Sequence, residues 1–319
     1  SRPKRTSPAK TAEGKSDPGP KGGSRIHGPD RPPDKWSVRI SYHLRYEAAP
    51  KGRFRKRKSS KKQTNMKKIL STILALAACT TLTAQDFKIT HGPWLCDLTS
   101  DGVTVVWATS KPALSWVEVA EDDGRSFYAA EHERRYETVA GRKQARKTLH
   151  SIRLKGLRPD TKYRYRIFSQ EVREWKYNDK VYYGDIAASN VYSRQPFAFS
   201  TLPTSGCDLS FVVLNDIHGR ADYMAGLCRP IDFAQIDFVA FNGDMSNSTE
   251  SPEQLYRDFI DASVGAFASE TPILYNRGNH ETRGIYADHL PEYFPKVGGN
   301  YYKLYMAGSV AVLLLDCGE

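Results

Sequence analysis

In the last third of the chain, three short apolar runs, 209–214, 237–241 and 272–275, each stop at a cluster of polar residues. Apolar runs of this length bounded by turn signals read as buried strands. Between them lie two stretches with helical character, 221–227 and 252–267; in the second, Leu255, Phe259, Ile260, Val264 and Phe267 recur near the helical period. Strands that alternate with helices predict an α/β layer. Two further strands are predicted at 301–305 and 309–315.

Residues 85–202 follow a different rhythm. Short alternating or aromatic-rich runs recur at 103–107, 115–119, 148–153 and 162–167, divided by turn signals at Asp101-Gly102, Asp123-Gly124 and Pro159-Asp160. Several short strands at that spacing predict an all-β sandwich. Residues 203–207 carry the turn chemistry of a linker, and the α/β part runs over 208–319. Trp107 and Trp116 fall within predicted strands and read as core rather than as a ligand platform. His91 and His150 read as surface or packing residues.

The start of the chain has neither period. Residues 1–65 hold 19 Lys or Arg against 5 Asp or Glu and bury too little apolar surface to order themselves. Lys67 and Lys68 then precede an apolar run, 69–78, that gives way to small and polar residues up to Ala84. A basic start, a short apolar middle and a small residue at the cut make a secretory signal peptide over 66–84, too short for a spanning helix. Signal peptides begin chains, so Met66 is read as the initiator and 1–65 as upstream sequence. A cut after Ala84 is favoured over lipidation at Cys79, where Leu76, Ala77 and Ala78 resemble a lipobox. The product is expected to be exported, either periplasmic or secreted, or else an outer-surface lipoprotein. Without the leader and signal, the whole-chain charge of +11 falls to −5 for 85–319. The basic character belongs to the leader, and nucleic-acid binding is not expected of the mature protein. The four remaining cysteines, Cys96, Cys207, Cys228 and Cys317, match no zinc ribbon or disulfide framework and read as thiols without a function.

The chemistry lies where the three strands stop. Asp216 and His218 follow the first, Asp244 sits in a Gly-Asp turn after the second, and Asn279, His280 and Glu281 follow the third. In open α/β sheets ligands bind beyond the carboxyl ends of the strands, so three such ends can converge on one point. Carboxylate, imidazole and amide oxygen together suit divalent Mn, Fe, Zn or Mg rather than soft metals. Each cluster alone is a common polar loop; the three in order after three strands are specific.

The series Asp216-Ile217-His218, Asn242-Gly243-Asp244 and Arg277-Gly278-Asn279-His280-Glu281 resembles the signature of the calcineurin-like metallophosphoesterase superfamily. The run Leu157-Arg158-Pro159-Asp160-Thr161-Lys162-Tyr163 resembles the fibronectin type III corner, in which a tyrosine hydroxyl ties a turn. A fibronectin-like domain ahead of a phosphoesterase is similar to the arrangement in purple acid phosphatases. The resemblance implies a fibronectin III-like all-β sandwich followed by a partial α/β/β/α metallophosphoesterase domain. It implies two divalent metal ions held by Asp216, His218, Asp244 and Asn279, with Asp244 bridging, and hydrolysis of a phosphate ester by a hydroxide that the ions activate. His280 is then catalytic without ligating, stabilising phosphoryl oxygens or protonating the leaving group. Glu281 is read as an acceptor that orients a neighbouring histidine, and Arg277 and Arg283 as candidate phosphate clamps. Asn247 stands where purple acid phosphatases carry an iron-binding tyrosine, and His218 where they usually lack a histidine, so a purple ferric centre is not expected. The family's later lone-His and Gly-His-x-His motifs are not in this sequence. The polypeptide as written is therefore expected to be inactive while the full gene product is an enzyme. The alternative is a non-enzymatic surface or periplasmic binding protein with a decayed phosphoesterase half.

Overall fold

A computed structural model of the chain describes residues 86–177, 180–189, 191, 195–206 and 208–316. The expected leader 1–65, the signal peptide 66–84 with Cys79, and Cys207 and Cys317 lie outside the described residues.

The first half is built from β1 (Ile89–Thr99), β2 (Gly102–Glu121), the short β3 (Arg134–Tyr136), β4 (Thr138–Val139) and β5 (Arg142–Lys143), then β6 (Lys147–Lys155), β7 (Lys162–Lys176), β8 (Lys180–Ala188) and β9 (Phe197–Ser200). β2 is the pivot. Residues 102–108 pair antiparallel with β1 on one side and β6 on the other, whereas residues 113–121 pair with β7. A register shift between Ala108 and Ala113 separates the two parts, and a bulged strand that changes sheets makes the corner of a sandwich. Leu95, Val103, Val105, Val117, Ile152, Tyr165 and Ile167 fill the space between the layers. Trp107 belongs to this core and donates its indole N–H to Ser169 Oγ at 2.9 Å. Trp116 is also buried and stacks on Phe168. The Tyr163 hydroxyl accepts the Arg158 N–H at 2.8 Å, fastening the turn ahead of β7 as a tyrosine corner does.

In the second half, β10 (Phe211–Leu214), β11 (Phe238–Asn242) and β12 (Ile273–Asn276) lie side by side and parallel, with Leu214 opposite Phe241 and Phe241 opposite Tyr275. β11 shows why a parallel strand reads as a continuous apolar run: Val239 and Phe241 enter one core, Phe238 and Ala240 the other. Helix α1 (Ala221–Cys228), α2 (Pro252–Leu255) and α3 (Asp261–Ala266) cover the first of these faces. Ser251 caps α2 by accepting the Gln254 N–H at 3.3 Å, and Pro252 occupies the first helical position, which needs no amide donor. Between α2 and α3 the backbone widens into a π turn, Tyr256–Ile260, so the predicted helix is continuous but not regular.

The two halves share a sheet. β1 pairs parallel with β12 through Cys96 and Ile273 while its other edge pairs with β2, so the strand order runs β10-β11-β12-β1-β2-β7-β8. The last strands, β13 (Lys303–Ala307) and β14 (Val310–Leu314), form a separate hairpin that presses Tyr305, Ala307 and Leu314 into the sandwich-side core. The hairpin is anchored on Asp97, which is buried at the end of β1 and accepts from Lys303 Nζ at 2.5 Å, Tyr305 OH at 2.7 Å and Val297 N at 2.8 Å. Among the described residues, no helix is long and apolar enough to cross a membrane.

Candidate metal centre

All the predicted site residues lie on turns at the carboxyl ends of β10, β11 and β12. Asp216, His218 and Asp244 hold left-handed backbone, with φ of 54°, 53° and 56°. Asp, Asn and His are the non-glycine residues found there most often, and backbone of this kind collects at functional sites. The turns are laced together: Asp216 N donates to Gly243 O at 3.1 Å, His218 N to Asp244 O at 2.9 Å and Gly219 N to Met245 O at 2.8 Å. The turn after β12 comes equally close, because a Cβ on Gly278 would lie 2.2 Å from Asp244 Oδ1. Only glycine permits that approach.

This geometry brings three side chains together. One ligand atom from each of His218, Asp244 and His280 lies within 4.8 Å of the others. The two imidazoles meet edge to face with centroids 4.6 Å apart, and Asp244 Oδ1 accepts the His280 N–H at 3.2 Å. His218 Nδ1 is buried without a hydrogen-bond partner. A buried imidazole nitrogen left unpaired costs free energy, and a cation would satisfy it. One carboxylate and two imidazoles form a donor set for zinc, manganese or iron, so the residues present fit a divalent ion. Asp216 is exposed at the edge of this group, with Oδ1 3.7 Å from His218 Nε2. Asn279 is exposed on the adjoining turn, where its backbone carbonyl accepts from Thr282 Oγ1 at 2.8 Å. The structure thus gathers His218 and Asp244, two of the expected metal ligands, together with His280, while Asp216 and Asn279 are exposed on the same set of turns.

The surroundings assign a proton and sort the arginines. His280 Nδ1 lies 2.9 Å from the Asn247 carbonyl, which can only accept, so Nδ1 carries the hydrogen and Nε2 the lone pair. Arg283 is exposed and its Nη1 lies 3.2 Å from that Nε2. Arg277 is committed elsewhere: Nε and Nη2 grip both oxygens of Asp316 at 2.8 and 2.9 Å, and its guanidinium lies over the Tyr301 ring at 3.9 Å. The hydrogen-bonded Asp316 carboxylate raises the Arg277 pKa further. Glu281 differs from its expected role. Its carboxylate accepts from the backbone amides of Asp244, Met245, Ser246 and Gly278 rather than from a histidine ring.

Two contributors escaped the sequence reading. Asn247 was noted there only as a missing tyrosine, yet its side-chain amide donates to the His218 carbonyl at 3.1 Å while its own carbonyl holds His280. Asp316 follows the apolar run of β14 as Asp216 follows that of β10, and that shared position was the available signal.

Residues 94–192 match the purple acid phosphatase N-terminal domain, and residues 209–316 match the calcineurin-like phosphoesterase model. Residues 209–316 are thus similar to a calcineurin-like phosphoesterase domain. Among solved structures, purple acid phosphatase PPD1 from yellow lupin (Lupinus luteus) seeds is 18% identical, over 59% of this chain and 35% of its own, with a TM-score of 0.41. Astrotactin-2, a vertebrate-specific perforin-like membrane protein involved in neuronal development, is 14% identical over 42% of this chain and 23% of its own, with a TM-score of 0.21. This chain spans 35% of the lupin enzyme's length. No curated protein matches it. The strand-rich first half and the mixed α/β phosphoesterase domain after it agree with the fold class expected from the sequence. The phosphoesterase domain carries all three members of the close cluster.

Proposed function

We propose that the full gene product hydrolyses phosphate mono- or diesters with divalent metal held at the ends of β10, β11 and β12. The observation that supports this most directly is the convergence of His218, Asp244 and His280 within 4.8 Å, inside the span matched by the phosphoesterase family. Bound divalent metal supplies Lewis acidity toward a phosphoryl oxygen and lowers the pKa of water. Asp244, His218, Asp216 and Asn279 would hold the metal, two ions on this reading. His280 is assigned to the phosphoryl group, because Arg283 beside Nε2 makes that corner cationic, which suits an anion. With Nδ1 donating to the Asn247 carbonyl, His280 turns Nε2 outward, and it serves the ester oxygens as a donor when that nitrogen also carries a proton. Arg283, rather than Arg277, is the available phosphate clamp. The metals consistent with the donors are Mn, Fe, Zn and Mg.

The signal-like stretch 66–84 supports export, with maturation at Ala84 or lipidation at Cys79. Amino-terminal sequencing of the mature protein, expected to begin at Gln85 or at a lipidated Cys79, tests that part.

The reaction is tested on the full gene product with p-nitrophenyl phosphate and its bis-ester, after chelation and return of each metal, beside an Asp244→Asn variant. Metal-restored turnover that falls more than about 100-fold in the variant supports the assignment. Stoichiometric metal binding without turnover of either ester favours a binding protein, and a folded chain that binds no metal refutes the reading.

A further inference from the structure

Glu281 is 1% exposed, yet its carboxylate is spent on backbone. Oε1 accepts from Met245 N at 2.6 Å and Ser246 N at 3.2 Å, and Oε2 from Asp244 N at 2.9 Å and Gly278 N at 2.8 Å. Three of these amides belong to the loop that carries Asp244 and one to the loop that carries His280. The two loops already touch, since a Cβ on Gly243 would lie 2.7 Å from the Gly278 Cα. One carboxylate therefore bridges the two loops and restrains how far apart Asp244 and His280 can sit. Among the described residues, the hydrogen bonds and ion pairs of this side chain include no Lys, Arg or His. Four amide donors converge on this one buried carboxylate, and a cation bound beside Asp244 is attracted by its charge. A cation held by Asp244 and His218 would lie beside the Asp244 loop that Glu281 ties in place.

We propose that Glu281 is a positioning residue that never touches the ion: it sets the spacing of the two ligand loops, and its buried negative charge raises the affinity of the site for a divalent cation. This rests on the metal reading above. It also assigns the motif's last residue a role different from orienting a histidine.

The test is calorimetric titration of the metal-free chain with Mn2+ and Zn2+, for wild type, Glu281→Gln and Glu281→Asp, each at a temperature where circular dichroism shows the protein folded. Glu281→Gln keeps the size and removes the charge, and it is expected to bind both ions 10- to 100-fold more weakly, the range found when outer partners of metal ligands are changed. Glu281→Asp keeps the charge but draws back from the amides. It is expected to melt lower and to bind the ions more weakly than wild type, because the loops loosen, but more tightly than Glu281→Gln, because the charge stays. A folded Glu281→Gln chain with wild-type affinity overturns the proposal and leaves Glu281 a purely structural clamp. Should the Gln variant not fold, a Glu281→Asp chain that melts lower yet binds both ions with wild-type affinity overturns the spacing role. If wild type itself binds neither ion, the metal reading fails and this proposal with it, an outcome distinct from either variant result.

Discussion

Asp97 is the sharpest place to perturb the join between the two halves. Its carboxylate is 2% exposed and takes Lys303 Nζ at 2.5 Å, Tyr305 OH at 2.7 Å and Val297 N at 2.8 Å, with Arg153 Nη1 at 3.5 Å. Asp97→Asn preserves size, and asparagine tolerates the φ of 53° at this position, so backbone strain does not confound the result. What it removes is the partner of a largely buried ammonium, since the Lys303 side chain is only 17% exposed. Breaking a buried pair from one side costs about 3–5 kcal/mol. We expect about 3–4 kcal/mol here, because the amide oxygen still accepts one of the neutral donors. At 2–4 °C per kcal/mol for a chain of this size, the melting temperature should fall by about 6–16 °C. Thermal melts followed by circular dichroism, with denaturant titration to confirm an unchanged m-value, measure it. A shift under about 2 °C would mean that the cluster is solvated in solution and does not hold the hairpin on β1.

Further outcomes follow from single contacts. Gly278→Ala drives a Cβ into Asp244 Oδ1, 2.2 Å away, and should weaken Mn2+ binding more than tenfold while costing about 1–3 kcal/mol of stability; unchanged binding would show that the two loops have room to separate. His150 is buried with its Nε2 2.9 Å from Thr109 Oγ1, and burial pulls its pKa from 6.5 down to about 3. The unfolded chain therefore takes up a proton that the folded one refuses between those values, so stability falls as pH falls through that window. Between pH 7 and pH 5 the loss is about 2 kcal/mol, and His150→Gln should remove that share of the slope in urea titrations at the two pH values. Tyr163→Phe leaves the Arg158 N–H without its acceptor and should cost about 1–2 kcal/mol in the same assay, with no change in metal binding.

Local physics made much of this protein legible in the sequence. The run 237–241 is apolar throughout because β11 is buried on both faces, and the polar residues that end each run mark where a strand gives out. Such features depend on a residue and its near neighbours, as do the Pro159 turn and the tyrosine that fastens it. Tertiary structure alone decided what meets across long separations. Cys96 sits in an apolar run that would suit an edge or a centre, and only the fold pairs it with Ile273 and makes one sheet of two halves. Arg277 and Arg283 look alike beside the same motif, yet Asp316 claims the first and leaves the second at the site. Glu281 reads in sequence as an acceptor for a neighbouring histidine, and only the fold turns its carboxylate to the amides of the Asp244 turn instead. Pattern encodes period and turn chemistry because those are properties of a few consecutive residues. The partner of a charge or of a strand edge is set by which distant surface packs there, and that choice rests on the summed burial of the whole core.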